Sequence, residues 1–217
     1  TRDIFGDDSK YFEKVISVAS EYAKRFNFQF ASTPIFEFSE VFHRTLGETS
    51  DIISKETYTF ADRDDTSITL RPEFTAGLVR AFISNGLTQS TPVKWFSYGP
   101  LFRYERPQKG RYRQFNQLNF EVLGAKGPLS DVEMISLGNG ILKELGLIKG
   151  ISLELNTLGD AESRKYYREK LVQYFSRYEK DLSEDSKIRL IKNPLRILDS
   201  KDEGDKKIVV DDPKIFD

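Results

Sequence analysis

The feature that most constrains the fold is an alternation of polar and apolar side chains from Gln117 to Val122, at the end of a run that begins at Arg113. Read at the two-residue period of a β-strand, Leu118, Phe120 and Val122 point one way. The opposite face receives a cation, an aromatic ring, carboxamides and a carboxylate, which are Arg113, Phe115, Gln117, Asn119 and Glu121. The pattern predicts a strand with one face on a core and the other able to hold a charged, partly planar ligand.

The segment before this strand alternates in the same way, so that Arg103 and Glu105 share a face. A loop from Arg106 to Tyr112, punctuated by proline and glycine, separates the two segments. An antiparallel pair joined by this loop would gather five cations around one ligand, namely Arg103, Arg106, Lys109, Arg111 and Arg113. Arginine forks suit phosphate oxygens, and Phe115 offers a flat face for a base. The alternative is a solvated basic hairpin in which Phe115 belongs to the core.

Hydrophobic periodicity in the rest of the chain predicts helices and strands in mixed order. Helices are expected at Ser9–Phe26, Val41–Leu46, Pro72–Ile83, Asp131–Leu145 and Asp160–Tyr178. Further strands are expected at Asn27–Phe30, Ile35–Phe38, Tyr58–Phe60, Ile68–Arg71, Val93–Tyr98 and Ser152–Leu155. This order favours an α+β fold, with an antiparallel sheet flanked by helices. Beyond Glu179, the charged composition indicates a small helical subdomain or the beginning of a larger one.

Charge and motif content restrict the kind of ligand site. The chain has 33 basic and 34 acidic residues and a net charge of -1, so nucleic-acid contact must come from local patches. It has no phosphate loop of the form G-x-x-x-x-G-K-[ST], and no G-x-G-x-x-G between a strand and a helix. A nucleotide would therefore bind on a sheet face. The sequence has no cysteine and no apolar run of about 18 residues, which predicts a soluble, cytoplasmic protein without disulfides or thiolate metal sites.

The segment Arg103–Phe115 closely resembles motif 2 of class II aminoacyl-tRNA synthetases, in the form found in the histidyl-tRNA synthetase family. Thr69–Gly77 resembles the amino-acid-binding segment of that family, and Gly47-Glu48 with Lys55–Phe60 resembles the segment before it. The helix that begins at Ser9 resembles motif 1, which forms the dimer interface in this class.

The resemblance extends to the end of the chain and implies its domain organisation. Asn193–Lys201 resembles a signature of the family's inserted helical subdomain. We therefore expect a class II catalytic core at residues 1–159 and the start of the helical insertion at residues 160–217. The family's motif 3 and anticodon-binding domain do not occur in these residues, so the resemblance implies that only part of the active site is present.

The resemblance implies an enzyme that activates histidine with ATP to histidyl-adenylate and then transfers the histidyl group to tRNA(His). The expected partners are histidine, ATP and tRNA(His), with Mg²⁺ accompanying the nucleotide, and a second subunit bound through motif 1 as a homodimer. An alternative is a non-catalytic paralogue that serves as the regulatory subunit of ATP phosphoribosyltransferase. That paralogue need not keep the ATP-binding arginines. A plain nucleic-acid-binding module is disfavoured by acidic residues inside the basic site.

The resemblance also assigns roles to residues. Arg103 is the catalytic residue expected to hold the α-phosphate, and the ATP-binding set is Arg103, Glu105, Arg111, Arg113 and Phe115. The histidine-binding set is Glu73, Thr75, Gln117 and Glu121, and no residue is assigned to a metal. Glu73 could instead cap the following helix, and Gln117 and Glu121 could be exposed strand residues.

Among the residues that depart from the family pattern, Phe74 and Asn119 bear on the predicted site. Phe74 stands where the family usually has glycine, so it either reshapes the pocket or points into the core. Asn119 also replaces a smaller residue, and it falls on the predicted ligand face. The single histidine, His43, lies outside the resembling motifs and is expected at the surface or in a structural role.

Overall fold

The computed structural model describes four stretches of the chain, which are residues 1–46, 56–106, 108–155 and 159–214. Four residues that carry part of the family resemblance lie outside these stretches, namely Gly47, Glu48, Lys55 and Pro107.

The chain divides into two compact units, Thr1–Ile151 and Ser152–Asp217. The boundary predicted between residues 159 and 160 falls inside the second unit, and the identity of the units as core and insertion stays a prediction. The first unit contains, in order, α1 (Asp7–Arg25), β1 (Gln29–Phe30), β2 (Phe36–Phe38), α2 (Ser39–Leu46), β3 (Tyr58–Ala61), β4 (Ser67–Leu70), α3 (Thr75–Ser84), a 3-10 turn (Leu87–Gln89), β5 (Val93–Phe102), β6 (Gln114–Leu123) and α4 (Pro128–Glu144).

The main sheet has the strand order β1-β5-β6. Strands β5 and β6 are antiparallel and pair along their whole length, from Val93 opposite Leu123 to Phe102 opposite Gln114. The short β1 is parallel to β5. A second, antiparallel sheet has the order β2-β4-β3. The predicted α+β class, with an antiparallel sheet flanked by helices, is confirmed.

Helices α1 and α4 cover one face of the β5–β6 pair. Helix α1 carries acidic residues in its first turn and basic residues in its last, which complements its dipole. Helix α4 approaches α1 closely at Gly140, where an added Cβ would lie 2.3 Å from the Tyr22 ring. The core between these elements contains Val18, Ala19, Ala23, Phe28, Phe96, Leu137 and Ile141, with Leu118, Phe120 and Val122 packed against it. The predicted apolar face of β6 is therefore confirmed.

The other face of the β5–β6 pair receives helix α3. Phe74, Leu78 and Leu101 form a buried cluster there, with Trp95 and Phe115 packed against it. Helix α3 and the segment that leads into it thus lie over the face that carries the predicted ligand residues. Where this cluster packs on the sheet, Trp95 and Phe115 are partly covered.

Two predictions about elements are wrong. The helix expected to include Pro72 begins at Thr75, because the Glu73 carboxylate accepts hydrogen bonds from the first free amides of the helix. The strand expected at Ser152–Leu155 does not form, and these residues are exposed. Their alternating pattern suits a strand, but no described strand lies beside them to accept its hydrogen bonds.

The second unit is helical, with its own core. It contains α5 (Ala161–Ser176), α6 (Glu184–Lys192), a 3-10 turn (Pro194–Ile197) and α7 (Glu203–Val209). The buried cluster consists of Leu171, Phe175, Leu182, Leu190 and Ile197. The helices beyond Glu179 agree with a helical subdomain, which is one of the two alternatives that the sequence left open.

The second unit also contains a fully buried carboxylate, Asp205. It accepts hydrogen bonds from the backbone amide of Ser183 and from the hydroxyls of Ser183, Ser186 and Ser200, at 2.6 to 2.9 Å. Burial alone would raise the pKa of Asp205, but these hydrogen bonds outweigh it and lower the pKa to about 2. Asp205 therefore joins the start of α6 to the segment before α7.

Candidate active site

The candidate site is built on the face of β5 and β6 that α1 and α4 leave uncovered. Because paired residues of an antiparallel ladder point to the same side, the register defines this face. Phe115 lies opposite Leu101, Gln117 opposite Gly99, Asn119 opposite Ser97 and Glu121 opposite Trp95. The sequence prediction that Phe115, Gln117, Asn119 and Glu121 share one face is confirmed.

One half of this face contains Arg103 and Phe115. The guanidinium carbon of Arg103 lies 5.2 Å from the centre of the Phe115 ring. The Arg103 amide donates to the Arg113 carbonyl oxygen at 2.9 Å, which extends the strand pairing beyond the end of β5. Phe115 is half-buried and also touches the cluster of Phe74, Leu78 and Leu101. It thus belongs partly to the core and partly to the candidate site.

The hairpin loop beyond this half gathers further charged groups. Arg111 Nη1 lies 3.3 Å from Glu105 Oε2, so the two side chains form an ion pair. The guanidinium carbon of Arg113 lies 3.9 Å from the centre of the Tyr104 ring, and its Nε donates to the Glu105 carbonyl oxygen at 3.4 Å. Arg111 is exposed, whereas Arg113 is half-buried and held against Tyr104. Of the two arginines, Arg111 is the freer to reach a ligand.

The other half of the face contains carboxylates and their hydrogen-bond donors. The Thr75 hydroxyl donates to Glu121 Oε1 at 2.5 Å, and Asn119 Nδ2 donates to the same oxygen at 3.2 Å. Glu73 uses Oε2 to accept from the Thr75 amide at 2.5 Å and Oε1 to accept from the Ala76 amide at 2.8 Å. The structure brings Glu73, Thr75 and Glu121 together, and it also shows the helix-capping role left open for Glu73.

Gln117 and His43 are placed differently from this group. Gln117 lies on the same face but opposite Gly99, so no side chain faces it across the strand pair. His43 is exposed on α2, as expected.

Phe74 points into the core, since it is only 1% exposed and packs against Leu78 and Leu101. Of the two alternatives given for Phe74, reshaping the pocket or pointing into the core, the structure supports the core position. Its ring lies 4.6 Å from the guanidinium carbon of Arg71. Arg71 is itself buried, and burial lowers its pKa below the ordinary value for arginine.

A direct hydrogen bond joins the two halves. Arg103 Nε donates to the carbonyl oxygen of Pro72 at 2.9 Å, immediately before Glu73. The Phe102 amide also donates to the Arg71 carbonyl oxygen at 3.0 Å. These two hydrogen bonds therefore connect the strand that carries Arg103 to the segment that carries Glu73.

The sequence placed Asn119 on the ligand face without assigning it a role, and the structure shows that it shares the Glu121 Oε1 acceptor with Thr75. Arg71 was treated only as part of a motif, although it lies between the two halves.

None of the helices in the described stretches combines the length and the apolar character that crossing a bilayer requires. In the same stretches, no group of three or more histidine, cysteine, aspartate or glutamate residues is arranged to hold a metal ion.

Comparison with solved structures agrees with this architecture. The apo histidyl-tRNA synthetase of S. aureus matches with a TM-score of 0.74 and 34% identity, over 99% of this chain and 48% of that chain. A Bacillus halodurans C structure described as an ATP phosphoribosyltransferase regulatory subunit/histidyl-tRNA synthetase matches with a TM-score of 0.59 and 19% identity, over 97% of this chain and 60% of that one. At that identity, the second likeness shows the fold alone.

Sequence comparison identifies the family. The family model described as histidyl-tRNA synthetase matches residues 1–163. The chain is 54% identical over 212 residues to the histidine–tRNA ligase of Rickettsia bellii, covering 98% of this chain and 51% of the relative. It is 56% identical over 215 residues to that of Wolbachia pipientis wMel, covering 99% of this chain and 52% of the relative. The chain spans about half the length of these curated relatives, and it belongs to the histidyl-tRNA synthetase family.

Proposed function

We propose that this chain is the N-terminal portion of a histidine–tRNA ligase. The enzyme would activate histidine with ATP, giving histidyl-adenylate and pyrophosphate, and then pass the histidyl group to the 3′ end of tRNA(His). The observation that carries the proposal is the hydrogen bond from Arg103 to the Pro72 carbonyl, which connects a cationic, aromatic half-site to a carboxylate half-site. Joining an amino acid to a nucleotide phosphate requires these two chemistries side by side.

Arg103 is the proposed catalytic residue. When the histidine carboxylate attacks the α-phosphate, negative charge grows on the phosphate oxygens, and a preorganised guanidinium stabilises that charge without moving. The protein forms no covalent bond in this step, so positioning supplies much of the rate. The contacts of Arg103 with Pro72 and Phe115 support this role, because they hold the guanidinium in one orientation.

The remaining ATP-binding residues are proposed on the same hairpin. Glu105 would accept from the adenine amino group, Phe115 would stack under the ring, and Arg111 would contact the phosphates. The Arg111–Glu105 ion pair is compatible with these roles, since both groups meet at the same end of the hairpin. Arg113 remains a weaker candidate because its guanidinium already lies against Tyr104.

Histidine is proposed to bind at Glu73, Thr75, Gln117 and Glu121. A carboxylate has about four lone-pair positions, so Glu73 can cap α3 and still accept from the substrate ammonium. Glu121, oriented by Thr75 and Asn119, would accept from the imidazole ring. A pocket that pairs both ring nitrogens rejects analogues by about 10⁴-fold or more, because its own polar groups would stay unpaired.

Three further expectations belong to the proposal. Mg²⁺ would accompany ATP and neutralise phosphate charge, since this ion usually binds through one or two carboxylates together with substrate phosphates. The protein would act as a homodimer through α1, which carries the resemblance to motif 1. It would work in the cytoplasm on tRNA(His).

The test is ATP–pyrophosphate exchange by the full-length gene product, measured with each of the twenty amino acids. Exchange with histidine alone supports the proposal. Histidine binding without exchange would overturn it in favour of the regulatory paralogue, which no observation here favours.

The same assay tests the catalytic residue. Arg103→Ala should lower the exchange rate by about 10²–10³-fold, the usual cost of one preorganised donor, while thermal unfolding stays cooperative. Arg63→Ala, in the exposed turn between β3 and β4, is the control and should leave the rate unchanged. Wild-type exchange in Arg103→Ala would remove this residue from the mechanism.

A further inference from the structure

The side chain of Arg71 holds together three separate parts of the first unit. It is 5% exposed, its Nε donates to the Pro100 carbonyl oxygen at 3.0 Å, and its Nη1 donates to the Thr33 carbonyl oxygen at 2.9 Å. Its guanidinium carbon lies 4.6 Å from the centre of the Phe74 ring. These partners belong to β5, to the connection between β1 and β2, and to the segment that leads into α3.

The backbone of Arg71 is fixed as firmly as its side chain. Its amide donates to the Ile35 carbonyl oxygen at 2.8 Å, and its carbonyl oxygen accepts from the Phe102 amide at 3.0 Å. The next residue, Pro72, accepts from Arg103. The turn from Glu73 to Thr75 follows directly, so its distance from Arg103 depends on where Arg71 lies.

Burying the charge of Arg71 costs free energy, and a residue that only filled space would not need that charge. Burial lowers its pKa, and in the described part of the chain no carboxylate forms an ion pair with it. Apolar side chains of similar volume would fill the same space without the cost of burying a charge. The property that they lack is a planar set of donors in fixed directions. Arg71 uses that property on two carbonyl oxygens.

The guanidinium also lies on the same sheet face as the candidate site. A Cβ added at Gly99 would lie 3.0 Å from Arg71 Nη2, and Gly99 is the partner of Gln117 across the strand pair. Gly99 has a φ of +149°, a conformation that side chains rarely adopt. The missing side chain leaves the room that the Arg71 guanidinium occupies.

We propose that Arg71 is a positioning residue for histidine activation: its guanidinium holds the Glu73–Thr75 turn against β5, at the spacing from Arg103 that the reaction requires. This inference rests on the proposed function. It concerns a residue that touches neither ATP nor histidine in the scheme above and that acts through its neighbours.

Arg71→Lys in the full-length protein tests the proposal, because lysine keeps the charge but cannot reach both carbonyl oxygens in one fixed geometry. A displacement of about 1 Å can cost 10²-fold, so we expect kcat/KM for histidine in pyrophosphate exchange to fall roughly 10- to 100-fold. The KM for ATP should change by less than about twofold, since the adenine-side residues are held by the hairpin itself. Phe74→Leu, which removes the ring beneath the guanidinium but keeps an apolar side chain, should act in the same direction more weakly.

Arg80→Lys is the matched control. Arg80 is another partly buried arginine, lies on α3 and pairs with Glu37, away from the Glu73–Thr75 turn. The Arg80→Lys variant should lower the melting temperature without changing the KM for histidine or the KM for ATP. If Arg71→Lys and Phe74→Leu also lower only the melting temperature, Arg71 is merely structural and the proposal is overturned.

The two proposals fail in different ways. Absence of histidine-dependent exchange in the wild-type protein would overturn the proposed function. Normal wild-type exchange together with unchanged histidine kinetics in both Arg71→Lys and Phe74→Leu would overturn the positioning role alone.

Discussion

Phe115 has two sets of neighbours, and each set supports a different role. One side of the ring touches the buried cluster of Phe74, Leu78 and Leu101, and the Arg103 guanidinium lies over it. A ring in this position can stack on adenine and contribute to the core at the same time. Truncation to alanine would affect both roles, so a test must keep the apolar volume.

Phe115→Leu meets this requirement. Leucine fills most of the space but offers no flat face, so ATP affinity should weaken by about 1–3 kcal/mol, the range measured for base–aromatic stacking. Isothermal titration with ATP measures this loss. Phe28→Leu, in the core on the opposite sheet face, should leave ATP affinity unchanged. Equal ATP affinity in both variants would return Phe115 to a purely structural role.

Glu73 has an observed role as a helix cap and a proposed role in binding the substrate ammonium, and removing its charge separates the two. Glu73→Gln keeps one oxygen acceptor for the helix amides, so the free energy of unfolding should fall by only about 0.3–1 kcal/mol. Losing a charged partner for the substrate ammonium should cost about 1.5–3 kcal/mol, seen as a roughly 10- to 100-fold rise in KM for histidine. Chemical denaturation measures the change in the free energy of unfolding, and pyrophosphate-exchange kinetics measure the change in KM for histidine.

Asp160→Asn supplies the comparison for Glu73. Asp160 caps α5 in the second unit by accepting from the Ser163 amide, so this variant changes a helix cap without touching the candidate site. We compare the KM for histidine in the two variants. If it rises no more in Glu73→Gln than in Asp160→Asn, Glu73 is a helix cap only.

At the scale of elements, the sequence predicted the β5–β6 hairpin because polar and apolar residues alternate from Gln117 to Val122. That alternation also fixes the register, since a slip by one residue would bury the polar side chains of Gln117, Asn119 and Glu121. The four residues at Ser152–Leu155 have the same pattern but lack a pairing strand, which a local pattern cannot reveal. The start of α3 was misplaced because proline suits a first turn, whereas the Glu73 side chain decided the boundary.

The candidate site was predictable to the extent that its residues lie on one strand or in one motif. Alternation placed Phe115, Gln117, Asn119 and Glu121 together, and the family resemblance added Glu73 and Thr75. Arg71 was not predictable as a positioning residue. Its acceptors are backbone carbonyl oxygens, which every residue carries, so no side-chain pattern marks them.

Asp205 makes the stability of the second unit depend on pH. Its pKa is lowered from 3.8 to about 2, so the ionised form is favoured by folding. This contribution, about 2 kcal/mol, is fully present above pH 3.8 and is lost as the pH falls through about 2. Denaturation followed between pH 5 and pH 2 should show this loss.

Asp205→Asn should remove the dependence and lower the free energy of unfolding by roughly 1–3 kcal/mol, because three hydroxyls lose a charged acceptor. Asp202→Asn is the control, since asparagine caps helices as well as aspartate and Asp202 caps α7. Similar stability and similar acid sensitivity in the two variants would contradict the role given to Asp205.

At the scale of the whole chain, the net charge of -1 on these 217 residues provides no general attraction for a polyanion. The tRNA binding that belongs to the proposed function would then rely on local basic groups, of which Lys109 in the exposed hairpin loop is one. Lys109→Ala should weaken tRNA binding and reduce the slope of log Kd against log salt by about 1. Filter binding at several salt concentrations measures this slope. Lys126→Ala, at another exposed lysine, should leave it unchanged.

The hydrogen bond between Arg103 and the Pro72 carbonyl has a thermodynamic consequence. The two substrates would act on a shared segment of backbone, so each one would alter the free energy of the other's binding. Such linkage is reciprocal: the factor by which histidine changes the affinity for ATP equals the factor by which ATP changes the affinity for histidine. In the proposed ligase, this 2.9 Å hydrogen bond would thus couple the binding of histidine to the binding of ATP.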